Sequence, residues 1–220
     1  MSAPACRLPE FITFTGADDH TSIAGMAALS SRYPVEWGVL LNPTRQGIAA
    51  RFPGEEALAR LMASGLRLAA HLCGPYAALV MRGLGNEIPI DLSPFGRFQI
   101  NHARPDPDHL SRFGERWGRR CIAQTRGTVF PGNTAVEWLF DASGGRGITP
   151  AKWPAYPGRL VGYAGGIGPE NAASVVQAIN ADGPYWIDME NRVRSDDRFD
   201  LVLCEMVCEA VYGQREPGSS

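Results

Sequence analysis

Short apolar runs recur along this chain, and each is closed by a polar or glycine-rich turn. The clearest three lie between residues 136 and 190 and read VEWLFD, RLVGYA and YWIDM. The second is followed by GGIGPEN and then by helical apolar spacing over residues 171–179, and the third leads to a helical pattern over 199–211. Strand, turn and helix in succession are the grammar of βα units in a parallel barrel, where chemistry sits at the carboxyl ends of the strands. Upstream, strands are expected at 11–15, 35–41, 68–73, 97–101 and 121–125, and helices at 20–32, 55–64, 75–83 and 108–116. Gly127, Pro131 and Gly132 argue against a helix over 126–134, so the fifth helical layer is expected to be degenerate. The count predicts an α/β fold, a (β/α)8 TIM barrel. A single domain over 1–220 is expected, with a frayed tail over 213–220.

Side chains alternate along a strand, and inward residues near the carboxyl end line a barrel's active site. If Asp141 points in, so does Leu139, while Trp138 and Phe140 face the helices; Trp186 accompanies Asp188 in the same way. Thr13 and Thr15 share a face, as do His71 and Cys73, and Gln99 and Asn101. The rim is then expected to collect Thr15, Cys73, Asn101, Asp141 and Asp188, more polar strand ends than a purely structural barrel needs. Gly165-Gly166, followed by Pro169 and Glu170, fits two descriptions. One is an anion site built on backbone N–H groups at a helix start, and the other is a tight turn with no ligand.

Composition narrows the picture. A chain of 220 residues can bury one substantial core, and barrels are tolerated near about 200 residues. A hydrophobic share of 45% with 20% charged residues describes an ordinary globule. The net charge of −2 gives no case for nucleic acid or an anionic membrane as partner. No apolar leader and no membrane-spanning run is visible, so a cytoplasmic location is expected. Five cysteines, an odd number without metal spacing, suit reduced thiols. Cys204 and Cys208 share a helix face, which is expected to be a core stripe. His71 and His102 can be paired on paper with Asp141 as metal ligands, but no HxH or HExxH spacing supports a metal, and neither metal nor cofactor is expected. His20 and His109 are expected at the surface.

Several motifs together resemble the phosphoribosylanthranilate isomerase family. Trp138-Leu139-Phe140-Asp141 followed by Gly144-Gly145-Arg146-Gly147 is similar to that family's sixth strand and its GGxG loop. Gly165-Gly166-Ile167-Gly168-Pro169-Glu170-Asn171-Ala172 is similar to its GGLNPENV run, and Ile187-Asp188-Met189-Glu190 stands where the family has VDVSSGVE. The resemblance is good over residues 136–211, fainter over 11–61 and poor between. It implies an Amadori rearrangement of a phosphorylated aminosugar, in which an acid protonates the ring oxygen and a base removes the C2′ proton. Carried over position by position, it implies Asp141 as the acid, tuned upward by burial, and Asp188 as a group that orients the substrate amine. It also implies Arg51 on the substrate carboxylate, Gln99 and Asn101 as substrate contacts, and Gly144, Gly145, Gly165, Gly166 and Asn191 around the phosphate. The expected partner is a small phosphorylated substrate, and the expected assembly a monomer or homodimer.

Two departures fall on the chemistry. The family's catalytic cysteine is replaced by Thr15, whose hydroxyl is not acidic enough to act unaided as a base. Cys73 is a candidate nucleophile, but strand three lies roughly 10 Å around the wall from strand one. The small SSG loop after strand eight is replaced by Glu190-Asn191-Arg192, so a Glu190 carboxylate pointing at the site is expected to repel phosphate, with Arg192 or Arg194 available to compensate by pairing with the anion. An isomerase-like enzyme on a phosphorylated sugar therefore competes with a different barrel lyase, epimerase or aldolase, and with a silent ligand-binding paralogue.

Overall fold

Eight parallel strands close on themselves in chain order: β1 (Phe11–Thr15), β2 (Val35–Leu41), β3 (Leu68–Cys73), β4 (Arg97–Asn101), β5 (Arg120–Thr125), β6 (Glu137–Asp141), β7 (Val161–Ala164) and β8 (Tyr185–Met189). The computed structural model describes residues 7–214. Cys6 and residues 215–220 of the expected tail lie outside the described residues. Closure is made by β1 against β8, with Thr13 opposite Asp188. This is the expected TIM barrel.

Among the described residues six α-helices pack outside: α1 (Ile23–Ser30), α2 (Glu55–Met62), α3 (Pro75–Met81), α4 (Pro107–Trp117), α5 (Ala172–Ile179) and α6 (Leu201–Tyr212). Their starts follow from capping chemistry. α1 begins at Ile23 rather than at residue 20 because the Ser22 hydroxyl accepts from Gly25 N–H. The Asp106 and Asp200 carboxylates accept the first free N–H groups of α4 and α6 in the same way. Cys204 and Cys208 both point into the core from α6, as their spacing predicts.

The barrel has two degenerate layers, not one. The β5–β6 connection lacks a helix as expected, but so does the β6–β7 connection over residues 142–160. Aromatic side chains from these loops cover the outer wall instead. Phe130 meets Tyr163 edge-on at 5.3 Å, and Trp153 packs on both Phe140 and Tyr163 at 5.9 and 6.1 Å. The large flat rings exclude water from strands that no helix shields.

Alternation along the strands divides the core in two. Trp138, Phe140 and Tyr163 belong to the outer layer with the helices, while Phe11, Ile122, Leu139, Ala164 and Trp186 form a separate cluster inside the barrel. Beside this inner cluster, at the amino ends of the strands, sits a buried ion cluster. Arg97 donates from Nε to Glu36 Oε2 at 3.1 Å and from Nη1 to Glu137 Oε2 at 2.6 Å, and Thr13 adds a bond to Glu36 Oε1 at 3.0 Å. The Arg97 guanidinium also lies 4.7 Å from the Phe11 ring and 4.4 Å from that of Trp186. Charge and rings thus plug one end of the barrel, and the opposite end is left for a site.

Candidate active site

At the carboxyl ends of the strands a cavity is lined by Thr15, His71, Gln99, Asn101, Gln124, Asp141 and Asp188, and by the loops after β6, β7 and β8. Asp188 is buried at the end of β8, and Thr15 on β1 donates a hydrogen bond to its Oδ1 at 2.9 Å. Burial pushes the Asp188 carboxyl up to about 8. The nearby charges of Glu190, Glu36 and Asp141 push the same way, and the bond from Thr15 opposes them. Near neutral pH this carboxyl therefore holds its proton.

Asp141, at the end of β6, is placed differently. Its Oδ1 accepts from Ser143 N and Ser143 Oγ at 3.0 and 2.8 Å, and its Oδ2 accepts from Gly145 N at 2.5 Å. The Ser143 hydroxyl in turn accepts from Gly147 N at 3.1 Å. Asp141 thus shapes the loop that follows it while still lining the cavity.

Other candidates from the sequence are drawn together less fully. Gln99 and Asn101 line the cavity and are joined by a 2.9 Å bond between their amides. The Cys73 thiol accepts from Asn101 Nδ2 at 3.1 Å and is not among the residues lining the cavity. Burial pushes the Cys73 thiol up to about 11, so it is not a thiolate at neutral pH. Arg51 also stands outside the lining. Its guanidinium donates to Glu190 Oε1 at 2.7 Å, to Asn191, and to Asp197 Oδ1 at 3.2 Å. The Glu190 carboxylate, which on sequence grounds threatened an anion, is therefore paired with Arg51. Arg194 is turned away to Asp18 and to the Gly16 carbonyl, at 2.9 and 2.7 Å. Among the described residues Arg192 is the one arginine or lysine lining the cavity, with Glu170 at 3.7 Å as its partner.

The glycines of the β7 turn answer to packing. Gly165 and Gly166 have φ of 121° and 60°, and a Cβ on Gly166 would strike Thr149 Oγ1 and lie 2.5 Å from Thr149 N. The loop after β6 folds back over this turn, and Thr149 donates to the Gly166 carbonyl at 3.1 Å. Asn171 closes the turn from the other side, accepting from Gly168 N and donating to the Gly166 carbonyl, both at 2.9 Å. The tight-turn description of the sequence thus accounts for both glycines without a ligand. Gly166→Ala is expected to cost about 1–3 kcal/mol in backbone strain, with the collision at Thr149 adding to it. Gly145→Ala, at φ 86° with no heavy atom within 4 Å of the new methyl, is expected to cost only the backbone part. Urea denaturation of the two variants measures the difference.

Sequence reasoning passed over two polar cavity residues, Gln124 and Ser143, and weighed His71 only as a metal ligand. Gln124 falls on the inward face that alternation assigns to β5. Ser143 carries no motif of its own and matters only through the fold of its loop. The buried His71 was visible as an inward residue, but nothing in the sequence shows that its imidazole reaches the cavity.

No protein-family model and no curated protein sequence matches this chain. Solved structures do. The N-(5′-phosphoribosyl)anthranilate isomerase from Pyrococcus furiosus superposes with a TM-score of 0.60 at 15% identity, over 93% of this chain and 99% of that one. Monomers of the dimeric phosphoribosylanthranilate isomerase from Thermotoga maritima give 0.61 at 11% identity, over 94% and 100%. A mutant tryptophan synthase α-subunit from Pyrococcus furiosus gives 0.54 at 11%, over 94% and 100%. At these identities the likeness is one of fold.

Proposed function

We propose that the protein is an acid–base isomerase acting on a phosphorylated sugar or aminosugar, of the aldose–ketose or Amadori type. The observation that carries this is the buried Asp188 carboxyl, hydrogen-bonded by Thr15 inside the cavity and held protonated near neutral pH. Such a reaction needs an acid and a base around one C1–C2 unit, with the acid protonated at working pH. Asp188 supplies the acid. Asp141, two strands away around the wall and bonded only as an acceptor, supplies the carboxylate that takes the C2 proton. These roles differ from those implied by the family resemblance, where Asp141 is the acid, the position of Thr15 carries the base and Asp188 orients the substrate amine. They also remove the need for a thiol at Thr15, whose task becomes orienting Asp188.

The phosphate is assigned to the space between the β7 turn and the short 3-10 turn Asn191–Val193 that follows β8, where barrels commonly bind this group. Arg192 supplies the charge, and the Arg51–Glu190 pair removes the repulsion. The alternative of a silent sugar-phosphate binder is favoured by one observation: the Asp141 oxygens are already engaged by its own loop. Calorimetry with ribulose 5-phosphate, run beside turnover of N-(5′-phosphoribosyl)anthranilate followed by its fluorescence, separates the two. Binding that weakens about tenfold or more in Arg192→Ala, together with turnover, is the expected result. Binding without turnover supports the silent protein, and no binding of the sugar phosphate contradicts both.

A further inference from the structure

His71 carries a buried polar atom that the scheme above leaves unused. The side chain is 1% exposed and lines the cavity, and among the described residues its Nε2 has no hydrogen-bond partner. An inward side chain on β3 can face β1 only if the β2 residue between them stays out of the way. That residue is Gly38, which pairs with Thr15 on β1 and with Ala69 on β3. A Cβ on Gly38 would strike Thr15 Oγ1 and lie 2.9 Å from His71 Nε2 and 3.0 Å from His71 Cε1. The hydroxyl and the imidazole edge therefore flank the bare backbone of Gly38. Glycine weakens a strand interior, and its presence here marks a close approach of other groups.

We infer that Thr15 and His71, facing each other over Gly38, form a subsite for one hydroxyl of the substrate, with His71 positioning it. This rests on the sugar-phosphate reading above. The donor and acceptor pattern selects a hydroxyl. The Thr15 proton is committed to Asp188, so Thr15 offers only lone pairs to a ligand. Burial holds His71 down to about 4, so its imidazole is neutral and can present an N–H at Nε2. A hydroxyl donates to the first and accepts from the second. A carbonyl oxygen can only accept and would leave Thr15 unmatched. Because Thr15 touches the acid, the hydroxyl in question is the one beside the reacting centre, the 2-hydroxyl of an aldose phosphate.

The test compares ribose 5-phosphate with 2-deoxyribose 5-phosphate by calorimetry on the native protein, His71→Leu and Gly38→Ala. The native protein is expected to prefer ribose 5-phosphate by about tenfold, the worth of one well-made hydrogen bond. Each variant is expected to bring the two sugars within about twofold while still binding the 2-deoxy sugar. In protein labelled with nitrogen-15 at histidine, the His71 Nε2 signal is expected to move with ribose 5-phosphate and not with the 2-deoxy sugar, a response that a merely structural histidine would not give. Equal affinities in the native protein, or a preference that survives in both variants, overturns the subsite. If both sugars bind without discrimination and both lose affinity in Arg192→Ala, the subsite falls and the sugar-phosphate reading stands. If neither binds, both fall.

Discussion

Asp188→Asn is expected to lower kcat by about 10²-fold or more, the usual worth of a positioned acid, while leaving sugar-phosphate affinity within a few-fold. The same substitution is expected to change the stability curve in a defined direction. The ordinary value for the carboxyl is 3.8 and the folded value about 8, so the native protein keeps a proton that the unfolded chain releases. For this group stability is fully present below the lower value and is lost as pH rises toward the upper one. The slope in that window is at most about 1.4 kcal/mol per pH unit. Asparagine cannot titrate, so the variant is expected to gain on the native protein through this window and to be the more stable of the two at pH 8. Urea denaturation at several pH values between 5 and 9 checks it. A stability difference between variant and native protein that stays constant from pH 5 to 9 would mean that Asp188 does not hold a proton through this window.

Arg97→Met is expected to be the most damaging single change to stability. Glu36 is buried in the barrel interior, and burial pushes its carboxyl up. The charge and hydrogen bonds of Arg97, with help from Arg67 and Thr13, outweigh that and hold it below its ordinary value. Methionine would leave the buried Glu36 with the half-exposed Arg67 at 3.2 Å as its remaining cation, beside the Thr13 hydroxyl at 3.0 Å. Breaking one side of a buried ion pair in this way costs about 3–5 kcal/mol. The sign with pH follows. In the native protein the depressed Glu36 contributes stability above its ordinary value and loses it as pH falls through the folded one. In the variant the penalty is expected to be largest near neutral pH and to shrink toward pH 4, as Glu36 takes up a proton. The double variant Glu36→Gln/Arg97→Met is expected to recover a large part of the loss, because it removes the stranded charge.

The barrel was legible because its signals are periodic. Runs such as VEWLFD and YWIDM assign their own inner and outer faces, and the structure places Leu139 and Trp186 inside and Trp138 and Phe140 outside, as alternation requires. The missing sixth helix was less legible, since a loop such as 142–160 announces itself only weakly. Its place is taken by Trp153, a loop residue that packs on Phe140 and Tyr163 of the two strands the loop joins.

The site was legible as a set of strand ends and illegible as a set of roles. Asp141 and Asp188 have similar strand contexts, yet one is wrapped by Ser143 and Gly145 and the other is desolvated against Thr15. Which environment a carboxylate meets is decided by loops folding back, and no local pattern encodes that. Arg51 illustrates the same point. A loop arginine matched by motif to a ligand contact instead meets Glu190 and Asn191 from the far end of the chain. Gly38 is the converse case. It read as an ordinary strand residue, and only the assembled wall shows what its missing side chain permits.

The measurement that bears most directly on the central claim is the pH–rate profile of the native protein on N-(5′-phosphoribosyl)anthranilate. With Asp188 as the acid, turnover is expected below pH 8 and is expected to fall away above it, as the buried carboxyl loses its proton. Turnover that stays level to pH 10 would contradict the assignment of Asp188. No turnover of this substrate at any pH would contradict the Amadori form of the isomerase.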